Sequence, residues 1–114
     1  MAVTVTTTFV DTTSVVVTAA RAYLKGVSVY NSARTATAGW LSLYNEAATP
    51  GTTEPTMVLY CPFATSNTSV FRFTFPRILF GTTIEVFFSD TSPVDASAWN
   101  AGTGARVEVY WERA

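Results

Sequence analysis

Hydrophobic and polar residues alternate along most of this chain with a period of two. At the N-terminus Val3, Val5, Thr7 and Phe9 interleave with Thr4, Thr6 and Thr8. Successive side chains of a strand point to opposite faces, so this spacing predicts a half-buried strand with a threonine-rich outer face. Asp11 to Ser14 reads as a turn, because short polar side chains bond to their own backbone. Val15 to Thr18 resumes as a strand. Ala22 to Asn31 alternates again, with Ala22, Leu24, Val27 and Val29 as its inner set. Gly26 stands where that alternation slips by one residue, the place for a β-bulge.

Asn31 to Gly39 is small and polar and predicts a loop. Trp40 to Asn45 predicts a strand with Leu41 and Leu43 on one face and Trp40, Ser42 and Tyr44 on the other. Pro50-Gly51 and Pro55 mark Ala47 to Thr56 as a surface connection. Met57 to Phe63 is apolar on both faces and predicts a strand covered on both sides, with Pro62 at its end or on a sheet edge. Thr65 to Thr68 reads as a turn. Phe71, Phe73 and Phe75 then alternate with Val70, Arg72 and Thr74. Pro76-Arg77 interrupts, and Ile78 to Ser89 predicts a further strand with Ile84, Val86 and Phe88 opposite Glu85 and Phe87. Asp90 to Ala105, with Pro93, Gly102 and Gly104, predicts the longest loop. Arg106 to Glu112 closes the chain as a strand with Val107, Val109 and Trp111 facing one way.

No segment carries a helical period. About eight short strands at this spacing predict an all-β fold, a single jelly-roll-like or Greek-key β-sandwich over residues 1–114, in preference to a closed barrel. The first ten residues form either an edge strand of that domain or an arm exchanged with a neighbouring subunit.

Composition agrees with the pattern. The 114 residues are 48 % hydrophobic and only 13 % charged, against a usual charged share of roughly 25 %. Threonine, valine and aromatic residues dominate, and these stiff side chains suit a pleated surface. Net charge is −1 and the pI about 5.2. The arginines are scattered along the sequence, so no basic patch for nucleic acid is visible. So few charges on so apolar a chain give copies little mutual repulsion, and part of the surface is expected to be covered by another protein. The start of the chain lacks a signal-peptide pattern, and no run of about 18 apolar residues suggests a membrane span. Cys61, the single cysteine, forms no intrachain disulfide and is expected to be a small buried hydrophobe in a protein folded in a reducing cytoplasm.

Candidate chemistry is sparse. With no histidine, Ser-His-Asp, Cys-His and histidine-metal systems are excluded. Gly102 and Gly104 precede a strand and match only a fragment of a dinucleotide motif. Glu108 and Glu112 share a face of the last strand and Glu85 could stand on a neighbouring one, but a solvated strand face that resists edge aggregation explains them better than glycoside hydrolysis. Asp90 and Asp95 could hold calcium, although turn chemistry accounts for them. The expectation is therefore a binding protein: no enzyme, no cofactor, no resident metal. Aromatic rings with polar handles anchor interfaces. Trp40, Tyr44, Trp99 and Tyr110, with Val3, Val5 and Phe9 of the first strand, are the interface candidates. Trp111, on the apolar side of its strand, is a core filler. Protein contact is favoured over sugar stacking for Trp99, which sits in a loop.

A larger pattern runs through Leu24-Lys25-Gly26-Val27-Ser28-Val29-Tyr30-Asn31, Gly39-Trp40-Leu41-Ser42-Leu43-Tyr44-Asn45, the connection Thr49-Pro50-Gly51-Thr52-Thr53-Glu54-Pro55, and Val107-Glu108-Val109-Tyr110-Trp111. Over residues 22 to 111 this order resembles small β-sandwich virion structural proteins of tailed bacteriophages. The chain departs from that group at Phe71 to Ile78, which is more aromatic. The resemblance implies a capsid decoration (cement) protein that binds the major capsid protein lattice on the outer surface of the head. It further implies a small homo-oligomer, trimer or dimer, made in the host cytoplasm; the scattered charges and short apolar runs predict neither a nucleic-acid nor a membrane partner. A tail, neck or fibre component, or a carbohydrate- or receptor-binding module, is the alternative on the same fold.

Overall fold

A computed structural model of the chain describes residues 3–10, 14–31, 39–49, 53–62, 70–89 and 105–114, without the side chains of residues 7–10, 31 and 105. Its strands are β1 (Thr4–Val10), β2 (Val15–Thr18), β3 (Ala22–Asn31), β4 (Gly39–Tyr44), β5 (Met57–Cys61), β6 (Val70–Phe80), β7 (Ile84–Ser89) and β8 (Ala105–Arg113). Among the described residues there is no helix. The strands form two antiparallel sheets, ordered β1-β8-β3-β6 and β2-β7-β4-β5. The chain changes sheet at every connection except β4 to β5. That alternation, with both sheets contributing to one core, is the strand order of a jelly roll.

The core follows from the alternation. Ala22, Leu24, Val27, Val29, Val107 and Val109 of one sheet meet Leu41, Leu43, Ile84, Val86 and Phe88 of the other, all essentially without solvent exposure. Phe71, Phe73, Phe75, Ile78 and Trp111 pack against this cluster as half-buried borders. Fully burying a residue of this size contributes about 1.5–3 kcal/mol, so the alternating rows supply the main drive for the two sheets to meet. Cys61 is buried, as expected of it.

Register shifts interrupt the sheet at the expected glycine. Between Leu24 and Gly26 the partner on β8 advances only from Trp111 to Tyr110, so Lys25 is an extra residue. On the other side the partner jumps from Ile78 to Thr74, so Phe75-Pro76-Arg77 stand against Lys25 alone. The chain stays in one strand across Pro76, which the edge position of β6 permits because a proline there forfeits no ladder bond toward a neighbour. Arg77 has φ 133°, a conformation that suits glycine.

Four expectations require correction. Ile78 to Ser89 is not one strand: Ile78–Phe80 ends β6, and Gly81 to Thr83 carries the chain to the other sheet before β7. Met57 to Cys61 is not covered twice. It is an edge strand, with Val58 and Tyr60 exposed, and the doubly covered strand is β7, whose six residues are all buried. The first strand is turned over. Thr4 and Thr6 pair with Trp111 and Val109 of the core face, while Val5 pairs with Tyr110 on the outer face. The indole N–H of Trp111 donates to Thr6 Oγ1 at 3.0 Å, which gives the inward threonine a partner. Glu85, finally, lies on β7, in the sheet that does not contain Glu108 and Glu112. The expected turns at Asp11 and Thr65 and the loops after Asn31 and from Asp90 fall largely outside the described residues, as do Trp99, Asp90 and Asp95.

Candidate binding face

The outer face of the β1-β8-β3-β6 sheet holds the largest organised set of polar and aromatic side chains among the described residues. Register places its residues in rows across the strands. Thr7, Glu108, Ser28 and Arg72 form one row, and Val5, Tyr110, Gly26 and Thr74 the next. Arg106, Tyr30 and Val70 lie on the far side of Glu108. Directly opposed and diagonal residues are within reach of long side chains, so one carboxylate can gather partners from two strands.

Glu108 does so. Tyr30 donates its hydroxyl to Glu108 Oε1 at 2.7 Å, and Tyr110 donates to the same oxygen at 3.0 Å. Ser28 Oγ donates in turn to the Tyr110 hydroxyl at 3.4 Å. The Arg106 guanidinium lies 4.2 Å from the centre of the Tyr30 ring. The Tyr30 hydrogen bond, helped by that of Tyr110 and by the charges of Arg106 and Arg72, holds the Glu108 carboxyl below the usual carboxylate range. A general acid needs the opposite shift. The cluster is therefore a fixed, ionised acceptor that locks two phenol rings in place. Glu112, on the same face, accepts from Arg77 Nε at 2.8 Å, and the Arg77 guanidinium lies 4.0 Å from the centre of the Tyr23 ring. Each of the two carboxylates thus has its own braced partner.

Beside Tyr110 the face sinks into a depression of about 260 Å³, lined by Lys25, Gly26, Ser28, Arg72, Thr74 and Tyr110. It exists because Gly26 has no side chain. A Cβ there would stand 2.8 Å from the Phe73 carbonyl oxygen and 3.8 Å from the Tyr110 ring, so the close approach of β6 itself requires glycine. Comparison of the chain with protein-family models, with curated proteins and with solved structures finds no match.

The sequence candidates divide between the two sheets. Val5 (51 % exposed) lies next to Tyr110, and Val3 (47 % exposed) just precedes it on the same chain edge. Phe9 pairs with Arg106, and its side chain is outside the described residues. Trp40 is on the other sheet, half-buried against Tyr60 with ring centroids 5.1 Å apart. Tyr44 does not offer a surface: it is fully buried, and burial, with the nearby charge of Glu85, pushes its hydroxyl up to about 12. Glu85 is itself buried and accepts the Ala48 N–H at 2.9 Å, so the segment after β4 folds against this region. The face also contains Tyr30, Ser28, Lys25 and Arg72, which sequence reasoning did not single out. Their outward position was readable from alternation, but not their neighbours, because strand order is not written in the period of any one strand.

Proposed function

We propose that this chain is a structural virion protein, a head decoration protein that clamps major capsid protein subunits and contacts them with the outer face of the β1-β8-β3-β6 sheet. The observation that carries the reading is the inverted first strand. An edge strand that ends at solvent gains by turning its apolar side inward, yet here Thr6 is the half-buried side chain, while Val3 and Val5 are exposed and Val5 lies beside Tyr110. An apolar border on a face whose tyrosines are already fixed binds a protein surface with little further loss of side-chain freedom. Many modest contacts of this kind add up on an ordered lattice. The motif resemblance in residues 22 to 111 supplies the context of the particle.

Fractionating purified virions into heads and tails and counting copies of this chain in each tests the reading. Hundreds of copies on heads are expected, lost or depleted when Val5→Asp is introduced. A handful of copies in the tail fraction would transfer the role to a tail, neck or fibre part, and absence from both would refute a structural role. A carbohydrate-binding reading draws on the fixed Tyr110 ring beside the depression. Glycan binding that disappears in Tyr110→Ala would favour it.

A further inference from the structure

The fold separates charges that the sequence scatters. All described cations belong to the β1-β8-β3-β6 sheet or its border: Arg21, Lys25, Arg72, Arg77, Arg106 and Arg113. The described carboxylates outside that sheet, Glu46, Glu54 and Glu85, all belong to the other sheet or to the β4–β5 connection. Glu85 is buried, whereas Glu46 and Glu54 are exposed. On the outer sheet face Arg77 is paired with Glu112, and the charges of Arg106 and Arg72 both act on Glu108. Of the two cations that line the depression at Gly26, Arg72 shares Glu108 with Arg106, and Lys25 is left without an ion pair among the described residues. Four cations of that face, Lys25, Arg72, Arg77 and Arg106, thus meet two carboxylates, Glu108 and Glu112, which leaves the hollow net positive, while Glu46 and Glu54 are exposed on a connection of the other sheet.

We propose that the hollow is a carboxylate subsite and that its occupant is the acidic β4–β5 connection of a second copy, through Glu46 or Glu54. Lys25 and Arg72 supply the charge, Ser28 and Thr74 supply hydroxyl donors, and the fixed Tyr110 ring bounds the hollow on the β8 side. Donor patch and acceptor patch differ, so the contact is head-to-tail. Such contacts close into a ring when the rotation permits and otherwise propagate. The inference extends the assembling role proposed above to contacts between copies. A chain abundant on heads but monomeric in solution would refute this inference and leave that reading standing.

The test is sedimentation velocity of the full chain and of charge-reversed variants. Wild type is expected to associate, and to do so less as salt rises from about 0.1 M to about 1 M, where the screening length falls from about 10 Å to about 3 Å. Lys25→Glu/Arg72→Glu and Glu46→Lys/Glu54→Lys are each expected to weaken association by about tenfold or more, equivalent to about 1.4 kcal/mol. Mixing the two variants is expected to restore it as a hetero-complex, since each carries the charge the other has lost. Should either variant lose its cooperative melt, the neutral Lys25→Gln/Arg72→Gln and Glu46→Gln/Glu54→Gln chains replace it, with the same loss and without rescue on mixing. A wild type that stays monomeric at every concentration refutes the proposal. So does association that ignores both salt and Lys25/Arg72, or that needs Lys25/Arg72 but is indifferent to Glu46 and Glu54.

Discussion

Gly39 opens β4 on the core side, and replacing it tests how tightly the two sheets are fitted. A Cβ at this position would stand 2.1 Å from Phe88 Cζ and 2.5 Å from Phe88 Cε1. Ordinary carbon contacts begin near 3.5 Å, so the ring would have to retreat by more than 1 Å. Phe88 is fully buried in the core, packed among the other core side chains. Overpacking a core costs about 1–3 kcal/mol, and a clash with a rigid ring belongs at the upper end. Losing glycine's freedom in the unfolded chain offsets up to about 1 kcal/mol. The net expectation for Gly39→Ala is a loss of about 2 kcal/mol. With an unfolding entropy near 2.1 cal/mol/K per residue, a chain of this length loses about 8 °C in Tm. Thermal melts followed by circular dichroism, with urea titration as a second readout, measure it. Gly81→Ala is the control: nothing lies within 4 Å of a Cβ there, so its Tm should stay within about 2 °C. Phe88→Leu should relieve the clash, making the double variant more stable than additivity predicts by about 0.5–3 kcal/mol. A Gly39→Ala melt as close to wild type as that of Gly81→Ala, or strict additivity with Phe88→Leu, would refute the packing described.

Three further outcomes are expected. The raised Tyr44 hydroxyl means that the folded state holds its proton more tightly than the unfolded chain. Stability from this group is complete below pH 10 and declines by about 2–3 kcal/mol as pH rises from about 10 to about 12; urea unfolding across this range should show the decline, and Tyr44→Phe should remove it. Arg77 adopts a glycine-like φ, so Arg77→Gly should be more stable than Arg77→Ala by about 1 kcal/mol, the reverse of the order at an ordinary strand position; equal melts would exclude strain there. Tyr30→Phe should raise the Glu108 midpoint in an NMR titration toward the ordinary range, and by more than Tyr110→Phe does, because the Tyr30 bond contributes most to lowering it. The stability tied to the depressed Glu108 is present above the unfolded carboxylate range and is lost as pH falls through the folded midpoint; a Glu108 titration that Tyr30→Phe leaves unchanged would contradict the hydrogen bond.

Much of this architecture is local in origin. Side chains of a strand alternate, so the inner sets of β3, β4 and β8 and the bulge beside Gly26 follow from residue order, and eight short strands without helical period leave little but a sandwich. What period two cannot encode is which strand lies beside which, and which face of a strand meets the core when both are tolerable. Val3 to Phe9 reads as an ordinary half-buried strand, yet pairing with β8 turns Thr6 inward, where Trp111 offers it a hydrogen bond, and leaves Val5 outside. The two-sided apolar run at Met57 is an edge, and β7 is the strand covered on both sides, because coverage depends on position in the sheet order rather than on the strand's own composition. The binding face has the same origin. Tyr30, Glu108 and Tyr110 come from strands 78 positions apart in the chain, and Lys25 meets Arg72 at one hollow only after β3 pairs with β6. Residue order fixes which side chains share a face; long-range antiparallel pairing decides which face turns outward and which side chains become neighbours.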